Sequence, residues 1–264
     1  MNIVFYIAIF LIGTIIGSLL GKIINRTIKG KYTFSLQSYC SKCGQKLKII
    51  DQIPILSYIL LRGKCRNCSK PINKKYIILE IITGLLFISS AYVSGIDIAN
   101  INTNNLISFL FIVLYFTYII LAVMLDLETR KMPSTILTYG VSISVLYILN
   151  LILFQNANIF TMSIYLLSII FLLAINILNT KKRAQSSYVL DSLTMLLTML
   201  IFTEHIVCIL TIIGTLISIV LYILINKLKQ AKNKIKKEVF YPNVKIVFIM
   251  GTLNIIYFLS ILSI

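Results

Sequence analysis

Long apolar stretches alternate with short polar segments along almost the whole chain. A helix needs roughly 20 apolar residues to cross a hydrocarbon core about 30 Å thick, and several stretches reach that length. The pattern therefore predicts an all-α polytopic membrane protein with about eight transmembrane helices. These lie near residues 3–21, 76–94, 105–125, 134–154, 160–178, 185–203, 206–226 and 245–264.

The first predicted span carries three glycines at four-residue spacing, Gly13, Gly17 and Gly21. Residues four apart lie on one face of a helix, and glycines there let a neighbouring helix approach closely. No glycine pattern of a nucleotide-binding loop follows a strand anywhere in the sequence. We therefore interpret the three glycines as a packing surface rather than as part of a ligand site.

Composition and charge place the chain in the membrane and predict its orientation. Of its 264 residues 58% are hydrophobic and 12% charged, whereas about a quarter of a soluble protein is charged. Its 25 Lys and Arg against 8 acids give a net charge of +17, and residues 22–75 alone hold thirteen of these cations with one acid. By the positive-inside rule the basic loops lie in the cytosol and both termini outside. Topology thus explains the cations without a nucleic-acid partner.

The one sizeable polar segment, residues 22–75, contains two Cys-x-x-Cys pairs: Cys40 with Cys43, and Cys65 with Cys68. Two such pairs at this spacing are typical of a four-thiolate structural zinc site. Two disulfides, a redox pair or unliganded thiols are the alternatives, and a reducing cytosol disfavours the disulfides. We expect this segment to be a small cytosolic zinc loop.

Three of the eight acids lie within or at the ends of apolar spans: Glu80, Asp126 and Asp191. Ionisable groups in such places are costly and are candidates for function. Asp126 ends the third predicted span and Asp191 lies near the start of the sixth, so both are expected at the cytosolic membrane edge. Two carboxylates that share a proton and a water are the arrangement of aspartic peptidases. The alternative is that each aspartate caps a helix or pairs with nearby cations.

Several segments, in this order, resemble the type IV prepilin leader peptidases, a family of membrane aspartic peptidases that also N-methylate their products. The matching segments are GSLLGKIINR (17–26), YCSKCGQKL, DQIPILSYILLRGKCRNC, KKYIILEIITGLLF (74–87), LDLETRKMPS (125–134) and FYPNVKIVFIMG (240–251). The cysteine block is the most specific of them.

The resemblance implies a function and a role for each candidate residue. Asp126 and Asp191 would be the catalytic pair, and the four clustered cysteines would bind structural zinc. Glu80 matches an acid near the methyl-transfer function, for which S-adenosylmethionine would be the donor. The implied substrates are prepilins or pseudopilins, met within the lipids of a bacterial inner membrane. Residues 1–21 would then form the first span, 22–75 the zinc loop and 76–264 the peptidase core.

The sequence departs from the family at the second aspartate. The family has Gly-x-Gly-Asp followed closely by Lys, whereas this chain reads Tyr188-Val189-Leu190-Asp191-Ser192. Bulky side chains thus replace glycines that permit close backbone approach. An inactive or retuned member, acting as a prepilin-binding scaffold, is therefore the alternative function. A small transporter is disfavoured because the acids cluster at one face rather than at the midplane.

Overall fold

The described part of the chain is mostly helical, with turns and loops over much of residues 38–73. This computed structural model describes residues 3–28, 38–40, 42–96, 102–129, 133–154 and 158–179, together with 194–196, 198 and 220. Its helices are α1 (Ile3–Ile28), α2 (Leu56–Leu60), α3 (Lys74–Val93), α4 (Thr103–Thr129), α5 (Ser134–Phe154) and α6 (Ile159–Asn179). A 3-10 turn at Ile50–Gln52 precedes α2.

The helices follow the predicted spans over the first five stretches. Four of them, α1, α3, α4 and α5, are long and apolar enough to cross a membrane, and α6 covers the fifth predicted span. The last three predicted spans lie almost wholly outside the described residues, so the count of eight stays a prediction. Helix α1 continues to Ile28, past the predicted end of the span at residue 21. Lys22 and Arg26 therefore belong to a helix rather than to the loop.

Local sequence signals set several helix ends. The Asn73 side chain caps α3 by accepting a hydrogen bond from the backbone N–H of Lys75, which satisfies one of the donors that a helix start leaves without a partner. Gly95, with φ of +66°, follows the other end of α3. The Asn158 side chain accepts from Phe160 at the start of α6.

The chain divides into two compact units, Met1–Val113 and Leu114–Ile264. In the first unit α1 packs tightly on α3 through the three glycines. A Cβ on Gly13 would lie 2.9 Å from the Cα of Gly84, and one on Gly17 would lie 3.0 Å from the Cα of Glu80. The predicted packing surface is confirmed, because side chains at these positions would collide with the backbone of α3.

Farther along the same helix pair, Ile9, Phe87, Ala91 and Ile96 form a buried apolar cluster. The Phe87 ring meets the Phe109 ring edge to face, with centroids 6.5 Å apart. In the second unit, a cluster of Val141, Ile148 and Ile169 joins α5 to α6.

Buried hydroxyl groups in the second unit hydrogen-bond to one another. Thr117 pairs with the Tyr139 hydroxyl at 2.8 Å and Tyr118 pairs with Thr198 at 3.0 Å. Such pairs satisfy polar groups that would be costly alone in an apolar environment. The first pair bridges helices α4 and α5, and the second joins α4 to Thr198.

Candidate metal centre and adjoining cavity

The two Cys-x-x-Cys segments fold into two turns of the same design. In the first, Tyr39 and Lys46 form an antiparallel bridge. The backbone N–H of Cys40 donates to Gln45 O, and Gly44 N–H donates back to Cys40 O, each at 2.9 Å. The tight turn exposes backbone N–H groups toward the sulfur atoms at its tip.

The second turn has the same kind of bridge and the same hydrogen bonds as the first. Lys64 and Pro71 form the antiparallel bridge. The N–H of Cys65 donates to Lys70 O and that of Ser69 donates to Cys65 O, again at 2.9 Å. The segments CSKCGQKL and CRNCSKPI are therefore two copies of one turn, of the kind that supplies two thiolate ligands in zinc sites.

Tertiary structure brings the two turns together so that four sulfur atoms converge. The Sγ atoms of Cys40, Cys43, Cys65 and Cys68 all lie within 4.8 Å of one another, and those of Cys40 and Cys68 are 4.0 Å apart. A tetrahedral site with Zn–S bonds of about 2.3 Å has its sulfurs about 3.8 Å apart, whereas a disulfide needs about 2.05 Å. All four cysteines are free. The cluster therefore fits a metal ion and not a pair of disulfides.

The backbone prepares one of these thiols for metal binding. The N–H groups of Lys42 and Cys43 stabilise the Cys40 thiolate and lower the pKa of Cys40 to about 6. The N–H of Gln45 favours the Cys43 thiolate, yet desolvation and the neighbouring Cys40 sulfur outweigh it and raise the pKa of Cys43 to about 11. Because several sulfurs share the site, a first thiolate hinders ionisation of the next. A cation in their midst would offset that repulsion.

The single acid of the cysteine segment lies inside the fold. The Asp51 carboxylate accepts hydrogen bonds from Arg66 at 2.7 and 3.2 Å, and its side chain is 4% exposed. The sequence gives no sign of this contact, because Asp51 and Arg66 are 15 residues apart. Because Arg66 stands between Cys65 and Cys68, this pair ties the second turn to the 3-10 turn at residues 50–52.

A cavity of about 680 Å³ with both apolar and polar lining residues lies between the cysteine segment, α1 and α3. Its lining includes Lys22, Tyr58, Tyr76 and Glu80, and the sulfur-bearing turns contribute Cys40 and Cys65. Cavities of roughly 300–1,000 Å³ lined by a few convergent polar groups are typical of small-molecule sites. The cysteine cluster and Glu80 thus border the same cavity.

Glu80 links all three walls of this cavity. Its carboxylate accepts a hydrogen bond of 2.8 Å from the backbone N–H of Ile55 in the cysteine segment. Ser18 and Lys22 on α1 interact with the same carboxylate. Glu80 therefore has a positioning role that its sequence neighbourhood did not reveal, since its partners lie 25 or more residues away.

Of the two candidate catalytic aspartates, one is described. Asp126 lies in the last turn of α4 and is 1% exposed, whereas Asp191 lies outside the described residues. The distance between them is therefore untested, and their pairing stays a prediction.

Some members of the site could not be recognised from sequence. Tyr58 and Tyr76 line the cavity, and Ile55 donates to Glu80 with an unusual backbone φ of 59°. Aromatic residues in apolar stretches give no signal of a cavity wall. The positive φ of Ile55, a β-branched residue, is seen only in the structure.

Comparison with known proteins agrees with this architecture. The family model described as the bacterial peptidase A24 N-terminal domain matches residues 11–94, which include most of α1, the cysteine turns and α3. A prepilin leader peptidase/N-methyltransferase of Vibrio cholerae is 31% identical over 149 residues, covering 53% of this chain and 55% of the relative.

Two further relatives carry similar names. A type 4 prepilin-like proteins leader peptide-processing enzyme of Escherichia coli O78:H11 is 30% identical over 119 residues, 44% of this chain and 39% of its own. A Myxococcus xanthus prepilin leader peptidase/N-methyltransferase is 36% identical over 83 residues, 31% of this chain and 25% of its own.

These alignments cover only part of each relative. The chain spans about half the length of the Vibrio relative and less of the other two. No solved structure gives a significant match. The predicted resemblance to type IV prepilin leader peptidases is nevertheless confirmed by the domain matched over residues 11–94 and by several relatives of that kind.

Proposed function

We propose that the chain is a membrane aspartic endopeptidase that removes the basic leader from type IV prepilins or pseudopilins at the cytosolic membrane face. The observation that carries the proposal is the buried Asp126 carboxylate in a helix apolar enough to cross a membrane. Burying an ionisable group in such a place is costly, so an acid found there is a candidate for function. The relatives named as leader peptidases supply the reaction class.

In the proposed reaction Asp126 and Asp191 act as a pair. The ionised carboxylate takes a proton from water while the water oxygen attacks the scissile carbonyl carbon. The protonated carboxyl donates a hydrogen bond to the carbonyl oxygen. Collapse of the tetrahedral intermediate breaks the C–N bond, and a carboxyl proton goes to the leaving amine. The basic loops on the cytosolic side and both termini outside would place this reaction in a bacterial inner membrane.

The direct test compares Asp126→Asn and Asp191→Asn in proteoliposomes with a candidate prepilin, read by the size shift on cleavage. We expect each variant to lose cleavage by at least about a hundredfold. Glu128→Gln is the matched control, because Glu128 lies two residues from Asp126 but is exposed. If either aspartate variant cleaves prepilin at the wild-type rate, the assignment of Asp126 and Asp191 as the catalytic pair is wrong.

The second candidate function is a prepilin-binding scaffold without cleavage. It is favoured by Tyr188-Val189-Leu190-Asp191, where the family has two glycines. The double substitution Tyr188→Gly with Leu190→Gly separates the two functions. A retuned enzyme should change its cleavage rate, whereas a scaffold should bind prepilin and leave it whole in both forms.

Methylation of the new N-terminus is a further proposed activity, since relatives are named N-methyltransferases. S-adenosylmethionine would supply a methyl group activated on a sulfonium cation. We propose the 680 Å³ cavity as the donor site, with the Glu80 carboxyl group and the aromatic rings of Tyr58 and Tyr76 against the sulfonium cation. Lys22 would bind the donor's carboxylate. Incubating cleaved pilin and labelled donor with the pure protein tests the activity, and an unlabelled N-terminus would remove it.

The four-cysteine cluster is proposed to hold zinc in a structural role. Four thiolate ligands leave no open position for a substrate or a water, so the ion would organise the segment rather than react. Zinc is also redox-inert, which suits a loop that we place in the cytosol. The ligands close the cavity that contains Glu80, so the ion would maintain the wall of the proposed donor site.

A further inference from the structure

The segment between the two cysteine turns exposes an unusual amount of apolar surface. We define the loop patch as the apolar side chains of residues 49–60 that are between 42% and 84% exposed: Ile49, Ile50, Ile53, Leu56, Ile59 and Leu60. These residues belong to a polar segment that is outside the predicted spans. A soluble loop would not keep six large aliphatic side chains in water without a partner.

The polar side chains of the same segment point the opposite way. Asp51 is 4% exposed and bonded to Arg66, while Gln52 bonds to Ser38 and to Leu47 O. Ser57 lines the cavity together with Asp51 and Gln52. The segment is therefore amphipathic in the reverse sense of a soluble loop, with its polar groups inside and its aliphatic groups outside.

The contact with α3 sets the depth of the loop patch. The Ile55 N–H lies 2.8 Å from the Glu80 carboxylate, and Glu80 is six residues beyond Lys74, the first residue of α3. At 1.5 Å per residue this is about 9 Å along the helix axis. The segment therefore lies beside the apolar part of α3 and not beyond its polar end.

The surroundings on α3 have the character of a lipid-facing surface. Ile78, Ile81 and Ile82 are 53%, 38% and 41% exposed on this helix, which is apolar enough to span a membrane. Exposed cations, Lys48 and Arg62, flank the patch at its two ends. Aliphatic groups framed by Lys and Arg match the boundary between acyl chains and anionic headgroups.

We propose that the loop patch inserts into the bilayer leaflet on its own side of the membrane, as an interfacial anchor of the metal-binding segment. The partner is the phospholipid bilayer, with acyl chains against Ile53, Leu56 and Ile59 and headgroup phosphates near Lys48 and Arg62. The two cysteine turns and the adjoining cavity would then lie directly at the membrane surface. The inference concerns residues 49–60 and holds whichever reaction the chain performs.

The chain contains no tryptophan, so one introduced tryptophan reports a single site without background. We would place it at Ile59, at Ile82 and at Asn67 in three variants of the full-length protein in nanodiscs. Ile82 on α3 is the lipid-facing reference, and Asn67 is an exposed residue at the tip of the second cysteine turn. Quenching by lipids brominated on their acyl chains is compared with quenching by aqueous acrylamide.

The proposal expects Ile59→Trp to lose roughly half its emission in brominated lipid, close to the loss at Ile82→Trp, since interfacial helices penetrate about 5–10 Å. Asn67→Trp should respond to acrylamide and not to brominated lipid. If Ile59→Trp behaves like Asn67→Trp, the patch faces water and the proposal fails. If neither quencher reaches it, protein covers the patch and the proposal also fails. Leu56→Trp repeats the measurement should Ile59→Trp fold poorly.

Discussion

The backbone N–H of Ile55 donates a 2.8 Å hydrogen bond to the carboxylate of Glu80, across 25 residues of sequence. Ile55 holds φ of 59° and ψ of −53° directly before α2. A β-branched residue at positive φ costs about 1–3 kcal/mol and persists only where its surroundings fix it. This bond therefore helps to hold a strained turn and joins the cysteine segment to the second spanning helix.

Removing the Glu80 carboxylate as a hydrogen-bond acceptor should free the turn at Ile55 from α3. Removing only the charge of Glu80 should leave the turn in place. Glu80→Ala leaves the Ile55 N–H without this acceptor, at a cost of about 1–3 kcal/mol. Glu80→Gln keeps an oxygen in place. We expect amide exchange in residues 53–61 to accelerate about tenfold or more in Glu80→Ala and to change little in Glu80→Gln, measured by mass spectrometry on the reconstituted protein.

The same two variants separate positioning from the proposed part of Glu80 in methyl transfer. A role of its charge at the donor requires that both variants lose methylation. If Glu80→Gln methylates normally while Glu80→Ala does not, Glu80 acts only by holding Ile55. Cleavage of the leader serves as the internal control, because it is assigned to Asp126 and Asp191.

Removing one sulfur ligand should abolish retention of the metal. Cys65 is buried within the cluster, so Cys65→Ser leaves three thiolates and opens the site. We expect the zinc-to-protein ratio to fall from about one to below about 0.2 after dialysis against a mild chelator. The fifth cysteine, Cys208, provides the matched control, and Cys208→Ser should keep the metal. Equal metal content in both variants would contradict the assigned ligands.

The metal-free protein should show unequal thiol reactivity with a defined pH dependence. The pKa of Cys40 is lowered to about 6 by the N–H groups of Lys42 and Cys43, and that of Cys43 is raised to about 11. Between these values Cys40 is mostly thiolate and Cys43 mostly thiol, and the thiolate is the nucleophile. Alkylation of Cys40 should therefore rise as pH increases through about 6 and exceed that of Cys43 at pH 7.5.

Mass spectrometry of iodoacetamide-treated peptides would measure the two sites separately. The zinc-loaded protein is the control, because bound thiolates should be protected at both positions. An unperturbed cysteine has a pKa of about 8.5. Equal labelling of Cys40 and Cys43 at every pH from 5 to 9 would therefore contradict the opposite pKa shifts of the two thiols.

The sequence predicted what depends on local spacing, and missed what depends on tertiary contacts. Each Cys-x-x-Cys pair and the three glycines spaced four apart encode their geometry within one turn or one helix face. The structure confirms that the four sulfur atoms converge and that the glycines allow close helix packing. The burial of Asp51 was missed, because it depends on Arg66 folding back over the 3-10 turn. The link from Glu80 to Ile55 joins segments that share no pattern. The partnership of Asp126 with Asp191 stays a prediction.

A larger side chain at Gly17, the middle glycine of α1, should push α1 away from α3. A Cβ on Gly17 would meet Thr83 and the Cα of Glu80, and backbone atoms cannot move aside as a flexible side chain can. Overpacking of this kind costs about 1–3 kcal/mol or more. Gly17→Val should lower the thermal unfolding midpoint in detergent by roughly 5 °C or more. Ile15→Val, at an exposed position of the same helix, should leave it within about 1 °C.

The two cysteine turns offer a reciprocal test of backbone strain. Gly44 and Ser69 occupy equivalent places after Cys43 and Cys68, with φ of 71° and 55°. A side chain at positive φ costs about 1 kcal/mol, and nothing lies within 4 Å of a Cβ placed on Gly44. Gly44→Ser should therefore weaken zinc binding by roughly fivefold, and Ser69→Gly should strengthen it by a similar factor.

Competition with a chromogenic zinc chelator measures both changes in one titration of the full-length protein. The double variant with Gly44→Ser and Ser69→Gly exchanges the two residues and should bind zinc within about twofold of the wild type, because the two turns share one backbone design. A change of the same sign in both single variants would mean that side-chain contacts, rather than the left-handed backbone, decide the stability of the turns.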